Sequence, residues 1–271
     1  MSISDISKRG LVLLGCGKMG SAMLEGWLDG GLSPDAVWVN DPAPSEWVQA
    51  QGVHLNRELP EAPAIVLVAV KPQMMRDALP SLARLGNGST LFLSIAAGTT
   101  IAIFEDMLGS NTPIIRSIPN TPAAIKQGIT ALIGNAAVAE THMQSAETLL
   151  SAIGQTVRLE TEDQMDAVTG LSGSGPAYVF HMIECLAKAG EAQGLSPALA
   201  MTLAKATVAG AGALAMQSNE TPSQLRVNVT SPNGTTQAGL DVLMDHETGL
   251  PPLIVRTVDA ATKRSKELAN G

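Results

Sequence analysis

Cysteine and aromatic residues are scarce in this chain of 271 residues. The two cysteines, Cys16 and Cys185, are too few for a disulfide framework, and the four histidines lie apart from them, so we predict no metal site. We interpret both thiols as reduced, with Cys185 as a small core residue in a helix. Because aromatic residues make up only 3% of the chain, its core must consist mainly of alanine and aliphatic side chains.

Basic clusters and long apolar runs are also missing. The net charge is −8 and Lys and Arg form no run, which predicts no nucleic-acid partner. The N-terminal residues are polar and we find no run of about 18 apolar residues, so we predict no membrane span and a cytoplasmic location. The length exceeds what one hydrophobic core usually fills, which predicts two domains.

A glycine-rich turn is the first motif. Residues 11–14 are apolar and predict a buried strand, and residues 21–27 have helical spacing. The glycines between them follow the pattern G-x-G-x-x-G, which in this strand–turn–helix context predicts a dinucleotide site rather than an ordinary βα turn. The first glycine allows the tight turn, the second lets a pyrophosphate approach, and the third lets helix and strand pack closely. The predicted contacts here are Gly15, Gly17, Lys18, Met19 and Gly20.

An acidic residue follows the second predicted strand, residues 36–40. Asn40 ends this strand, and Asp41 lies at the distance from the glycines at which a carboxylate binds the ribose in this motif. Such a carboxylate accepts hydrogen bonds from the ribose hydroxyls and repels a 2′-phosphate, which favours NADH. An Asp-Pro turn without a ligand is an equally good interpretation of Asp41.

Later strands add two further candidates for the cofactor site. The predicted strand at residues 64–70 ends at Lys71, and ligands bind at the carboxyl ends of strands in parallel sheets. The predicted strand at residues 90–95 leads into Ala96 and Ala97, whose small side chains would let a flat ring approach the backbone.

The second half of the chain changes character. Strand-like runs stop after residue 160, and the remainder is rich in Ala, Leu and Met with helical spacing. Two polar loops, residues 170–176 and 228–236, precede predicted helices and offer N–H groups and hydroxyls, as an anion pocket does. The second half offers few strong acid–base residues, and we interpret its one tyrosine, Tyr178, as a packing residue, which suits an imine substrate better than a ketone. Small residues in the helix at 197–216 predict close packing against a partner subunit.

Six motifs together resemble the pyrroline-5-carboxylate reductase family. The resemblance extends over nearly the whole chain, and the last two motifs are the most specific. The motifs are GCGKMG at residues 15–20, AVKP at 69–72, SIAAG at 94–98, RSIPNTP at 116–122, GLSGSGPAY at 170–178 and TSPNGTT at 230–236.

This resemblance implies a fold, a reaction and an assembly. Residues 1–161 would form a Rossmann domain with a doubly wound, mostly parallel α/β sheet, and residues 162–271 an all-helical domain for substrate binding and dimerisation. The chain would be an NAD(P)H-dependent oxidoreductase acting on a CH–NH group, which reduces 1-pyrroline-5-carboxylate to proline in the last step of proline biosynthesis. Homodimers in this family often form larger rings such as decamers. The family commonly uses NADPH, whereas Asp41 favours NADH, so both cofactors stay open.

The resemblance also implies roles for individual residues. The loop at 231–236 would bind the substrate carboxylate, with Asn233 where the family usually has glycine, and the hydroxyl of Thr236, the predicted catalytic residue, would face the ring nitrogen. The implied cofactor contacts are Asn56, Ala69, Val70, Lys71, Pro72, Ala96 and Ala97. The predicted substrate contacts are Ser174, Gly175, Asn228, Ser231, Gly234, Thr235 and Thr236.

Two other functions compete with this one. A β-hydroxyacid dehydrogenase would need a lysine acid in the helical half, but the candidates Lys188 and Lys205 do not adjoin a polar loop. A non-catalytic nucleotide sensor would have no need to keep both Lys71 and the Ser231–Thr236 loop. A cofactor oxidation assay distinguishes an enzyme from such a sensor.

Overall fold

The computed structural model describes residues 3–270, without the side chains of residues 3–5, 72, 269 and 270. It contains two compact units: a sheet unit that runs to Gly173 and includes the chain from Ala261 onward, and a helical unit, Ser174–Ala260. The strands are β1 (Leu11–Leu14), β2 (Val37–Asn40), β3 (His54–Leu55), β4 (Ile65–Val68), β5 (Leu91–Ser94), β6 (Ile114–Ile118), β7 (Gly128–Gly134) and β8 (Gly154–Arg158). The helices are α1 (Ile3–Arg9), α2 (Lys18–Asp29), α3 (Glu46–Gln49), α4 (Met75–Ala78), α5 (Ile101–Leu108), α6 (Glu140–Leu150), α7 (Gln164–Val168), α8 (Gly175–Ala192), α9 (Pro197–Gln217), α10 (Pro222–Asn228), α11 (Thr235–Leu243) and α12 (Leu250–Asn270).

The eight strands form one sheet in the order β3-β2-β1-β4-β5-β6-β7-β8. Neighbouring strands are parallel, except that β7 runs antiparallel to β6. From β1 the chain builds the sheet first toward β3 and then, from β4 onward, in the opposite direction. This reversal creates a crevice at the carboxyl ends of β1 and β4, where α/β sheets bind their ligands. The predicted doubly wound, mostly parallel fold is confirmed.

Both faces of the central strands are buried. Leu11 and Leu13 of β1 face a cluster that includes Met23 of α2, whereas Val12 packs on the other face with Phe104 of α5. A parallel sheet with helices on both faces requires apolar side chains at consecutive strand positions, which explains the unbroken apolar runs of β1 and β4.

The helical unit has a much smaller core within the single chain. Its buried apolar cluster consists of Ala187, Ala200 and Ala204, where α8 packs against α9. Leu199 and Leu203, by contrast, are 47% and 48% exposed. This unit therefore leaves most of its large apolar side chains uncovered in one chain.

Three local predictions were wrong. Most of the polar segment at 170–176 is helical rather than a loop, because a π-helical turn, Thr169–Gly173, follows α7 and only Ser174 separates it from α8. Asn228 is the last residue of α10 rather than part of the second polar loop. Cys185, predicted in the core, is exposed. Glycine and serine favour loops in isolation, but a wide turn within a helix accommodates them, and such turns are frequent at functional sites.

Among the described helices, α9 alone has the length and apolar composition to span a membrane, with a mean hydropathy of 1.4 in its most apolar window. The sequence held no uninterrupted apolar run here, and Lys205 lies near the middle of the helix. One such helix is weak evidence for a membrane span. The same alanine-rich composition predicted close packing against another subunit.

A partly buried ion pair, in which the Glu162 side chain is 30% exposed, connects β6 to the segment before α7. Arg116 is 3% exposed, and its NH1 group donates to Oε1 of Glu162 at 2.7 Å. The same oxygen accepts the Ile101 N–H at the start of α5, at 2.9 Å. The Nε atom of Arg116 is buried without a partner in the part of the chain that the structure describes, and Glu162 is the one carboxylate there that forms an ion pair with this guanidinium.

We expect Glu162→Gln to lower the free energy of unfolding by about 2–3 kcal/mol, since it leaves a buried guanidinium without its counter-charge. Urea denaturation followed by circular dichroism measures this loss. Glu267→Gln is the matched control, because Glu267 pairs with Arg264 on the surface, where both side chains are more than 60% exposed. Equal effects of the two substitutions would contradict the importance of the partly buried pair.

Candidate functional site

The carboxyl ends of four strands are level with one another. Leu14 of β1 lies opposite Asn40 of β2 and Val68 of β4, and Val68 lies opposite Ser94 of β5. Backbone hydrogen bonds continue past the strand ends: the Gly15 N–H donates to the Asn40 carbonyl at 2.8 Å. The predicted cofactor residues that follow these strands therefore emerge along one edge of the sheet.

The glycine turn has the geometry that a dinucleotide needs. Gly15 has φ +85, and a Cβ there would lie 3.0 Å from the Ala69 carbonyl oxygen. A Cβ on Gly20 would lie 3.1 Å from the Gly15 oxygen, so this glycine permits the close approach of helix and strand. A Cβ on Gly17 would meet no atom within 4 Å and would fill the open face of the turn. Gly17 also precedes α2 without a side-chain cap, which leaves the N–H groups at the helix start available for an anion.

Cys16 occupies the middle of this turn. Its side chain is buried, and burial raises the pKa of the Cys16 thiol, with the neighbouring Asp41 carboxylate contributing in the same direction. The thiol is therefore neutral near pH 7. The Ser21 hydroxyl donates to the Cys16 carbonyl at 3.0 Å and so ties the turn to the first helical turn of α2. The Cys16 thiol therefore adds no charge of its own to the turn.

Asn56 and Asp41 are brought together although they are 15 residues apart. The Asp41 N–H donates to the Asn56 Oδ1 atom at 2.9 Å, and the Asn56 side chain donates to the Asp41 carbonyl at 2.9 Å. The Asp41 carboxylate also accepts the Ala43 N–H at 2.8 Å, so the Asp-Pro turn considered from the sequence is present. This turn does not use all the acceptor capacity of the carboxylate.

The remaining cofactor candidates follow β4 and β5. Ala69 and Val70 are half-buried, whereas the Lys71 side chain is exposed directly after them. Ala96 is buried and its N–H donates to the Ser94 hydroxyl at 3.2 Å, while Ala97 is exposed. Pro72 begins a short 3₁₀ turn, and its side chain lies outside the described part of the chain.

In the helical unit, the second polar loop contracts to a tight turn before α11. The Gly234 N–H donates to the Ser231 carbonyl at 3.0 Å, and Thr235 and Thr236 form the first helical turn. Asn233 has φ +57, the left-handed conformation for which asparagine is among the best alternatives to glycine. Replacement of the usual glycine by asparagine thus preserves the turn. Thr236 is exposed, and its hydroxyl has no hydrogen-bond partner among the residues described.

Three other predicted substrate residues are not joined to this turn. The Asn228 side chain forms hydrogen bonds within and just before α10. Its Oδ1 atom accepts from Gln224 and its Nδ2 atom donates to Glu220, each at 2.8 Å. Ser174 precedes α8 without capping it through its side chain, and Gly175 is the first residue of that helix. No hydrogen bond connects these residues to the 231–236 turn within residues 3–270, so their roles stay predictions.

Asn120 has a structural role that its motif did not predict. Its Oδ1 accepts the Ile129 N–H at 3.0 Å, and its amide donates to the Ser172 hydroxyl in the π-helical turn at 3.3 Å. The motif contains a usable signal, because Asn120 lies between Pro119 and Pro122. In such a rigid turn, an asparagine side chain commonly supplies hydrogen bonds to nearby backbone groups. Asn120 therefore connects the RSIPNTP and GLSGSGPAY motifs.

Comparison with known proteins identifies the family. Residues 162–268 match the family model for pyrroline-5-carboxylate reductase dimerisation, and residues 10–98 match that for NADP oxidoreductase, coenzyme F420-dependent. Over 265 residues the chain is 37% identical to pyrroline-5-carboxylate reductase of Pseudomonas aeruginosa, and the match covers 96% of each protein. The chain belongs to the pyrroline-5-carboxylate reductase family. The enzyme of that name from Pisum sativum is 35% identical over 265 residues, again with 96% of each protein covered.

Solved structures of pyrroline-5-carboxylate reductases share the whole fold. The structure from Coxiella burnetii has a TM-score of 0.89 and 31% identity, and the match covers 96% of this chain and 98% of that one. The Plasmodium falciparum enzyme, solved with NADP bound, has a TM-score of 0.83 and 28% identity, with coverage of 97% and 99%. The family resemblance predicted from the six motifs is confirmed, as is the pairing of a Rossmann sheet with a helical part.

Proposed function

We propose that this chain reduces 1-pyrroline-5-carboxylate to L-proline with NADH or NADPH as the hydride donor, the last step of proline biosynthesis. The main support is its similarity over 96% of its length to reductases of that name. The six sequence motifs come from both halves of the chain, which supports a complete enzyme rather than a retained nucleotide-binding module.

Residues 1–161 would bind the cofactor. The turn from Gly15 to Gly20 would hold the pyrophosphate, through backbone N–H groups at the start of α2. Asn40, Asp41 and Asn56 would contact the adenosine ribose, and Ala69 to Pro72 with Ala96 and Ala97 would contact the nicotinamide half. When bound, the nicotinamide supplies a hydride to the substrate carbon.

Residues 162–271 would bind the substrate. The net charge of −8 disfavours an anion at long range, so the carboxylate needs local donors. The turn from Ser231 to Thr236 offers them at the positive N-terminal end of α11. Ser174, Gly175 and Asn228 would complete the pocket.

Proton delivery would fall to Thr236. Reduction of the C=N bond requires a proton on the ring nitrogen, and an imine nitrogen accepts one far more readily than a carbonyl oxygen does. A hydroxyl that donates a hydrogen bond, or relays a proton from water, therefore suffices where a ketone reductase needs a stronger acid. The rest of the rate would come from holding the imine carbon in place over the ring.

We further propose a cytoplasmic homodimer formed through the helical unit, with no membrane or nucleic-acid partner and with assembly into a larger ring such as a decamer. The exposed apolar side chains of α9 support a dimer interface in this unit. In a single chain, the buried apolar cluster of the unit consists of three alanines, so the larger apolar side chains need another surface to cover them. The match of residues 162–268 to a family model for dimerisation supports a dimer interface in this part of the chain.

We expect the double substitution Leu199→Glu and Leu203→Glu to dissociate the dimer. These residues are one helical turn apart on α9, and burial of two carboxylates in an apolar interface is unfavourable. Size-exclusion chromatography with light scattering gives the mass. Gln193→Glu, an exposed position just after α8, is the control and should leave the mass unchanged. A double variant with the wild-type mass would argue against this surface.

The dehydrogenase alternative gains no support. Lys188 and Lys205 are both exposed on their helices, and neither takes part in an ion pair with a described residue. Neither adjoins the Ser231–Thr236 turn in sequence.

Genetic complementation tests the proposed function. A bacterial strain that lacks pyrroline-5-carboxylate reductase should grow without added proline when it expresses this chain. An empty vector gives the baseline, and growth on added proline shows that expression is not toxic. Soluble expression without rescue would count against the proposed reaction.

A further inference from the structure

The Asp41 carboxylate lies against the glycine turn. Its Oδ2 atom accepts the Cys16 N–H at 2.6 Å, and its Oδ1 atom accepts the Ala43 N–H at 2.8 Å. The first bond crosses from the end of β2 to the turn after β1, over 25 residues of sequence. The carboxylate is therefore a fixed part of the turn that would receive the dinucleotide.

The backbone of Asp41 is fixed as well. Both polar atoms of the Asn56 side chain bond to it, one as acceptor and one as donor, each at 2.9 Å. Asn56 itself has φ +50, a conformation that asparagine tolerates better than most residues. With both its main chain and its carboxylate engaged, Asp41 cannot swing away from an approaching cofactor without losing several hydrogen bonds.

Among the described residues, the Asp41 carboxylate takes part in no ion pair. Between Lys18 and Arg57 the sequence contains no lysine or arginine, and β2 and the turn after it fall within this interval. A 2′-phosphate would thus face a fixed carboxylate that no described cation neutralises through an ion pair. A free ribose diol, in contrast, would find unused lone pairs on both carboxylate oxygens.

We propose that Asp41 makes this enzyme selective for NADH over NADPH. This inference rests on the proposed reductase function and its dinucleotide site. This preference for NADH differs from the NADP that is bound in the Plasmodium falciparum structure. It also differs from the NADP named in the description of the family model that matches residues 10–98. The fixed Asp41 carboxylate would repel the 2′-phosphate of NADPH. The same carboxylate would accept hydrogen bonds from the ribose hydroxyls of NADH.

The direct test is the ratio of kcat/KM for NADH to that for NADPH. We expect the wild-type ratio to be at least about 10. Repulsion between the Asp41 carboxylate and a 2′-phosphate should cost more than the free energy that corresponds to a tenfold change in binding, about 1.4 kcal/mol. Asp41→Asn removes the charge at nearly constant shape, and Asp41→Ser also removes bulk. Each should reduce the ratio at least about tenfold, mainly through a lower KM for NADPH.

Asp35→Asn is the matched control. Asp35 is exposed just before β2, at the opposite end of that strand, and should leave the ratio unchanged. A wild-type ratio of one or less, or Asp41 variants with the wild-type ratio, would overturn the proposal. Arg57→Ala then shows whether Arg57, next to Asn56, binds the 2′-phosphate instead.

Binding to the wild-type protein separates this proposal from the proposed reaction and needs no variant. Calorimetry with ADP-ribose and with 2′-phospho-ADP-ribose should show at least about tenfold tighter binding of the former. If this preference is found without turnover of 1-pyrroline-5-carboxylate, the reductase function fails and the role of Asp41 stands. If the enzyme turns over and binds the phosphorylated compound as well or better, the function stands and the role of Asp41 fails.

Discussion

Thr236→Ala should lower kcat/KM for 1-pyrroline-5-carboxylate by about 100-fold or more, the size typical of a lost proton donor. The hydroxyl has no hydrogen-bond partner among the described residues, so its removal leaves no buried group unsatisfied. Some turnover remains, because the loop N–H groups still bind the carboxylate and solvent can protonate the imine. Stopped-time assays at saturating cofactor give kcat and KM separately.

Thr236→Ser is the matched variant for this prediction. It retains the hydroxyl and should retain most of the activity, whereas alanine should not. Since Thr236 lies exposed in the first turn of α11, neither variant should change the melting temperature by more than a few degrees. An alanine variant with wild-type kcat/KM would show that another group delivers the proton.

We expect Gly15→Ala to weaken the binding of NADH and NADPH by about 100-fold, or about 2.7 kcal/mol, because the turn must shift to relieve a clash at a position that favours glycine. Gly15 has φ +85, and the added methyl group would lie 3.0 Å from both the Ala69 oxygen and a Val70 methyl carbon. Ala69 and Val70 belong to the predicted nicotinamide contacts, so the substitution disturbs both ends of the cofactor site. Fluorescence titration with each cofactor measures the change in Kd.

Gly31→Ala controls for backbone strain. Gly31 has φ +90, but a Cβ there would meet no atom within 4 Å, so the substitution costs about 1 kcal/mol in strain without a clash. We expect both variants to lose stability and only Gly15→Ala to lose cofactor affinity. Equal affinity of the two variants would mean that the turn after β1 does not bind the dinucleotide.

The sheet edge could be predicted because its signals are local. The unbroken apolar runs of β1 and β4 indicate strands that are buried on both faces, and the glycines after β1 indicate the turn that follows. Once the strands are known to be parallel, Gly15 and Ala69 must emerge at the same edge. The hydrogen bond between Cys16 and Asp41 could not be predicted, because it depends on the rotamer of a side chain 25 residues away.

The helical half was harder to predict in detail. Gly170 to Gly175 have a composition typical of loops, and the π-helical turn at Thr169–Gly173 is a rare conformation that this composition does not predict. Cys185 has the spacing of a core residue, yet it is exposed in the single chain. An apolar helix face has the same pattern whether its own chain or a partner covers it, so sequence periodicity cannot distinguish the two.

The most direct test of the account is the oxidation of NADH and NADPH at 340 nm by the purified protein with 1-pyrroline-5-carboxylate, together with chromatographic measurement of proline. We expect proline to form in a one-to-one ratio with the cofactor oxidised, and faster with NADH. Absence of oxidation with both cofactors, from a folded protein that binds ADP-ribose, would contradict the reductase function.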